Sequence, residues 1–510
     1  MSLRRPPAAG TLVLAVVTVA AAGLAAGPLR DWPGVVHLVA LPPLDLAADL
    51  RWIVAWAPSW PLALLAGAAS LAVRTALLAA LLGGRRPRWG TALRLHLVAW
   101  PALLLAAELD VIGRSVLYAR LAGAAVVILV LVVLLLAAAP WTGADRIRTG
   151  IRSAAGDGFR AGELAGYLAV LVVLGTVAEL VPAAAPLCVV LSAAATWVTV
   201  ARLRAPAPRH ARRHAAATVT IGVAALVAAT VTRMDTPHVS SATREVDVLI
   251  ASGINSSSGQ GAIFGVEPER LGVSCDEMHY FSYAGRGDGQ PQGDAACPKY
   301  SGAPYEPEDT QRPFAEQVAL LTDQIGRLDG PVVVLAHSQA AWVAWEVAAR
   351  GEVPQLDTVV LVGPFPSSPL GYPPPGERGA GRVGGDLLRV LVPLTTLVDF
   401  DFVVDAPLSR ELLASPDAAT QVWESGPPAD VRVLAVTTSA DLLLMPDGWR
   451  IEGADDACPV RAPHPDVPDH GDFHRVVDGY LDGRLDGGCG PGPELLRAAT
   501  QAFGAPSPPR

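Results

Sequence analysis

Charge is scarce in this chain. Asp, Glu, Lys and Arg make up 17% of its 510 residues, against about 25% for an ordinary soluble domain. Lysine is nearly missing, with Lys299 the only one. The formal net charge is −9. Arginines cluster in short connections of the first half, and the second half is acidic. No basic domain surface exists, so no nucleic-acid partner is expected. Cysteine is limited to five residues. No two of them stand at zinc-ligand spacing and no histidine pair joins them, so no metal is expected. No cofactor is expected either.

Long apolar runs take the place of charge. They fill residues 10–231, after which the chain turns polar and rich in Asp, Gly and Pro. A membrane span needs about 20 mostly apolar residues. Seven such segments lie near 10–28, 60–82, 91–112, 116–139, 163–181, 183–201 and 215–232. The stretch 35–58 carries Pro42, Pro43, Asp45, Asp49 and Arg51 and reads as interfacial. Arg74, within the second span, reads as a snorkelling side chain. Glu108, Asp110 and Arg114 read as charges at the outer end of the third.

Arginines follow the second, fourth and sixth spans and precede the first, while the alternate connections hold few. Short arginine-rich loops stay on the cytoplasmic side. The amino terminus is therefore expected inside, and everything after residue 232 outside. The first segment resembles a signal peptide but reads better as a retained span. The expected organisation is a membrane domain at 1–232, an extracytoplasmic domain at 240–490 and a flexible tail at 491–510. The result would be a multi-pass protein of the cell membrane, with membrane lipids as neighbours.

Four cysteines, Cys275, Cys297, Cys458 and Cys489, fall in the polar half, and an exported domain would oxidise them. Three pairings exist. Cys275–Cys297 with Cys458–Cys489 closes the shortest loops and is the expectation. Cys188 reads as a buried apolar residue within a span.

The polar half alternates strand and helix patterns. Apolar runs at 245–252, 278–284, 331–336, 357–362 and 431–437 read as strands. Residues 313–329, 338–350 and 473–485 read as helices. Near-continuous apolar strands between helices call for an α/β fold, with a mainly parallel sheet covered on both faces. Sites in such sheets form beyond the carboxyl ends of strands. Ser338 stands there, in Val332-Val333-Val334-Leu335-Ala336-His337-Ser338-Gln339-Ala340-Ala341-Trp342. Serine at such a corner is either a helix cap or an exposed nucleophile.

Residues 335–342 resemble the nucleophile elbow of the α/β-hydrolase superfamily of esterases and lipases. The small-x-Ser-x-small pattern is Ala336-His337-Ser338-Gln339-Ala340, with alanine where glycine is usual. The resemblance spans about 245–488 and implies the order serine, acid, histidine. It places the acid after the strand 431–437, at Asp441, with Asp447 second. It places the histidine before the last helix, at His470. His474 falls inside that helix, and His464 ranks last. By the same resemblance, the amides of Gln339 and of Ile254 or Asn255 form the oxyanion hole. The usual His-Gly of that loop is Ser252-Gly253 here. Residues 363–420 look like a lid-like insertion with an apolar stretch.

The expected function is a serine hydrolase acting on carboxylic esters, with lipid or acyl esters as the substrate suggested by the lid and the spans. An acyltransferase using the same triad on envelope lipids, and a catalytically dead binding or structural protein, are the alternatives.

Overall fold

The computed structural model describes residues 8–83, 86–117, 119–138, 147–156, 160–205, 236–291, 293–297, 301–365, 371–395, 403–414, 417–426, 430–445, 450–484 and 489–501. The first half is helical: α1 Ala8–Ala26, α2 Leu44–Trp56, α3 Trp60–Leu82, α4 Arg86–Val116, α5 Ala119–Ala138, α6 Ile147–Gly156, α7 Ala161–Leu180 and α8 Ala185–Arg204. Among the described residues, six helices are long and apolar enough to cross a membrane: α1, α3, α4, α5, α7 and a stretch ending in α8. The expected span at 215–232 lies outside the described residues. Pro182 and Pro186 mark the break between α7 and α8.

One reading of the first half changes, that of Arg74. The stretch expected to be interfacial contains α2, whose 13 residues are too few to cross a bilayer. Leu46, Leu50 and Val54 bury it against α3 and α4. Arg74 does not snorkel. It is buried, and Asp49 of α2 accepts from its Nε at 2.8 Å and its Nη2 at 2.7 Å. A charge in an apolar bundle needs a partner there, and α2 supplies it.

The second half is built on six parallel strands: β1 Asp247–Ala251, β2 Met278–Tyr280, β3 Val332–His337, β4 Leu356–Val362, β5 Arg432–Val436 and β6 Asp455–Asp456, in the order β2-β1-β3-β4-β5-β6. Parallel strands need crossovers. Helices α9 Phe314–Ile325 and α10 Ala340–Arg350 flank β3 in sequence. The run Val332–Ala336 is buried throughout, which explains why it has no polar face. Helices α11 Arg382–Thr395, α12 Pro407–Leu412 and α13 Ala418–Glu424 fill the insertion between β4 and β5. Helix α14 Gly471–Leu481 follows the sheet. Disulfides join Cys275 to Cys297 and Cys458 to Cys489.

The tail expected to be flexible instead carries α15, Gly492–Gln501. It packs on α7, with Arg497 2.9 Å from Glu179, and buries Ala498. Gln501 and Thr500 also donate to the carbonyls of Met445 and Leu442, beside the turn after β5.

The sheet domain is seated on one end of the helical bundle. Gly381 N donates to Ala55 O at 2.8 Å, Gly379 N donates to Pro58 O at 3.2 Å and Trp60 Nε1 donates to Asp386 at 2.8 Å. Arg114 at the end of α4 donates to Leu444 O. These contacts gather the start of α3 and the ends of α4 and α7. The other ends of α4 and α7 begin at Arg86 and follow Arg160.

Candidate active site

Ser338 occupies the corner between β3 and α10 with φ +57°. Few non-glycine residues accept this left-handed conformation, which costs about 1–3 kcal/mol and persists only where its surroundings impose it. Ser338 N donates to Val362 O at 2.7 Å, and Ser338 O accepts from Ala341 N at 3.0 Å. Ala336 and Ala340 are buried on either side, small enough for strand and helix to cross closely. Gly253 lies directly against the corner. A Cβ there would fall 2.8 Å from Ser338 Cβ and 3.0 Å from His337 O. The position thus requires glycine, for the room it leaves Ser338.

Asp441 stands on a single helical turn, Ser439–Leu442, just after β5. Thr438 Oγ1 accepts from Asp441 N at 2.8 Å and fixes that turn. The carboxyl is fully buried. Burial pushes its pKa up, against the pull of His464. Asp447 lies outside the described residues.

The histidine on Asp441 is His464, not the His470 expected from the sequence. Asp441 Oδ2 is 2.8 Å from His464 Nδ1. A carboxylate only accepts, so Nδ1 carries the proton and Nε2 is left as the basic nitrogen. That Nε2 is buried, with no hydrogen-bond partner among the described residues, so it is not bonded to Ser338 here. His464 opens a short 3-10 turn, His464–Asp469. Gly363, at φ +63°, makes room for its ring: a Cβ there would fall 2.6 Å from His464 Cε1. His470 instead caps α14, its Nδ1 accepting from Asp472 N at 3.1 Å. His474 lies within α14. Three histidines in eleven residues gave the sequence little to separate them, and proximity to the helix favoured the one that serves as its cap.

His337 stacks on His464, with ring centroids 5.2 Å apart. Its Nε2 lies 3.2 Å from His464 O and must donate, since a carbonyl only accepts. Burial first, and the neighbouring imidazole second, push the His337 pKa down to about 3. It is a neutral prop for the His464 turn, a role the sequence gave no signal for.

The amides of Gln339 and Ile254 have no acceptor among the described residues, and both residues line a cavity at Ser338. Asn255 does not share this position. Its amide donates to Thr310 Oγ1 at 3.0 Å, which removes it from the expected pair. The Gln339 side chain is tied down, donating to Gln317 Oε1 at 2.6 Å and accepting from the Tyr283 hydroxyl at 3.1 Å. Tyr283 OH also lies 2.6 Å from Ser252 O. One buried tyrosine thus links the two loops that present the free amides.

Serine, acid and histidine follow the ends of β3, β5 and β6, with two free amides beside the serine. This arrangement is competent for nucleophilic acyl chemistry.

The sequence profile of the Alpha/beta hydrolase family matches residues 270–486. No curated protein matches the chain. Among solved structures, a variant of PytH shares 13% identity, with 46% of this chain and 96% of that one covered and a TM-score of 0.25. A variant of the N-acyl homoserine lactonase AidH, complexed with N-hexanoyl homoserine, shares 14% identity, with 50% and 98% covered and a TM-score of 0.25. Residues 270–486 are an alpha/beta hydrolase domain, set behind a region in which six helices, among the described residues, are apolar and long enough to span a membrane.

Proposed function

We propose that this protein is a membrane-anchored extracytoplasmic serine hydrolase of carboxylic esters, with Ser338 as nucleophile, His464 as general base and Asp441 as the acid that orients it. The observation that carries this reading is the 2.8 Å Asp441–His464 contact beside a serine held at φ +57°.

A serine hydroxyl is a weak nucleophile at neutral pH. His464 Nε2 takes its proton as Ser338 Oγ, rotated toward the imidazole, attacks the ester carbonyl. Such contacts are commonly loose without substrate and tighten in its complex. The Gln339 and Ile254 amides receive the developing oxyanion. His464 then protonates the leaving alcohol, and water, activated by the same nitrogen, releases the acid. Asp441 keeps Nδ1 protonated and stabilises the imidazolium.

Sidedness rests on three supports. The paired cysteines suit an oxidising compartment. The arginine-rich connections suit the cytoplasm. The sheet domain packs on the opposite ends of the same helices.

Purified full-length protein treated with a fluorophosphonate probe tests the chemistry. Labelling is expected at Ser338 and lost in Ser338→Ala. His464→Ala and Asp441→Asn are expected to lower kcat/KM on p-nitrophenyl acetate by roughly 10³-fold or more, and His470→Ala by less than about tenfold, because a cap contributes about 1 kcal/mol of stability and no chemistry. Equal losses at His464 and His470, or labelling that survives Ser338→Ala, would overturn the assignment.

A further inference from the structure

The cavity at Ser338 is not confined to the hydrolase domain. Ser115 and Val116, the last residues of membrane helix α4, line it together with Ile254, Trp342 and the α12 residues Leu408 and Leu412. The Ser115 hydroxyl is turned back on its own helix, donating to Val111 O at 2.9 Å, so α4 shows the cavity a largely apolar surface. The helix end is also held to the triad. Arg114, paired with Asp110 at 3.0 Å, donates to Leu444 O, three residues beyond Asp441. Helix α11 of the insertion packs on α2 and α4.

We propose that the outer end of α4 is the acyl-binding wall of the catalytic cavity, with Val116 setting specificity for esters of long, unbranched apolar acyl chains. This rests on the reading of Ser338 as the nucleophile. Three considerations carry it. The lining is mainly apolar, and the hydroxyls of Ser115 and Ser409 are turned to the carbonyls of Val111 and Val403, which favours a hydrocarbon over a polar acyl group. The wall belongs to a helix that crosses the bilayer, so a chain lying along Val116 runs toward the membrane interior. The cavity measures only about 30 Å³, room for a water or two, so a chain enters only as α12 parts from α4. The helices thus become part of the active site as well as its anchor.

The test uses full-length protein in lipid nanodiscs with p-nitrophenyl acetate and p-nitrophenyl dodecanoate. Val116→Trp is expected to lower the dodecanoate-to-acetate ratio of kcat/KM at least tenfold, and an unchanged ratio overturns the proposal. Should Val116→Trp misfold, Val116→Cys in a Cys188→Ala background decides. Its modification by a methanethiosulfonate is expected to slow at least tenfold once Ser338 carries a dodecyl phosphonate, but not an ethyl phosphonate. Equal rates in the two adducts overturn the proposal. Failure of both phosphonates to attach to Ser338 in the unaltered protein removes the nucleophile reading itself, whereas attachment of the ethyl phosphonate with exclusion of the dodecyl one, or attachment of both with an unchanged ratio, removes the acyl wall alone.

Discussion

Gly253 is where a single missing carbon matters most. A methyl group there would lie 2.8 Å from Ser338 Cβ, so Gly253→Ala must push the serine or its own loop aside. Misplacement of a nucleophile by about 1 Å costs roughly 10²-fold. The expected outcome is a loss of that size in kcat/KM on p-nitrophenyl acetate, with secondary structure by circular dichroism unchanged. His337 makes a second prediction at this scale. The unfolded chain protonates this residue near its ordinary 6.5, while the folded protein holds the proton off down to about 3. The unfolded state therefore binds more protons in that window. Stability from this group is fully present above pH 6.5 and declines as pH falls toward 3. His337→Gln keeps a donor for His464 O and removes the titration, so its thermal midpoint should fall less between pH 7 and pH 4 than that of the unaltered protein. The positions of Ser338 and Asp441 were readable because each follows an apolar strand in a known order. His464 was not, because its link to Asp441 depends on how a 3-10 turn folds back, which neither periodicity nor spacing encodes.

Among the elements, strands were legible in proportion to their burial. β1, β3, β4 and β5 are hydrophobic runs because both faces of the sheet are covered. β6, with two residues, is too short to leave a pattern. Helix α15 was missed because its partners, α7 and the turn after β5, are distant in sequence. In α2, Asp49 and Arg51 look solvent-seeking in isolation, yet both find partners within the bundle. Arg74 answers the Asp49 charge, and Asp110 lies 2.5 Å from Arg51. The disulfide Cys275–Cys297 holds the segment before β2 to the loop after it, closing a sequence separation of 22. Constraining an unfolded loop of this length stabilises by about 3 kcal/mol in the chain-entropy model. Cys275→Ser with Cys297→Ser should therefore lower the thermal midpoint of the domain while leaving fluorophosphonate labelling of the folded protein in place. An unchanged midpoint would show that the bridge constrains nothing.

For the whole molecule, the proposed sidedness draws on the arginine pattern, the paired cysteines and the seat of the hydrolase domain on the bundle. The domain rests on the start of α3 and the ends of α4 and α7, and its serine corner stands over the end of α4. Composition divided the chain into two halves, but it could not show that they share a cavity, because that contact joins Val116 to Ser338 across more than two hundred residues of sequence. The central claim combines a chemistry with a place, and one measurement reads both: a membrane-impermeant fluorophosphonate added to intact cells that make the full-length protein. The account predicts labelling without permeabilisation, abolished in Ser338→Ala and strongly slowed in His464→Ala. Labelling that needs permeabilisation, or that persists at the same rate in His464→Ala, would contradict it.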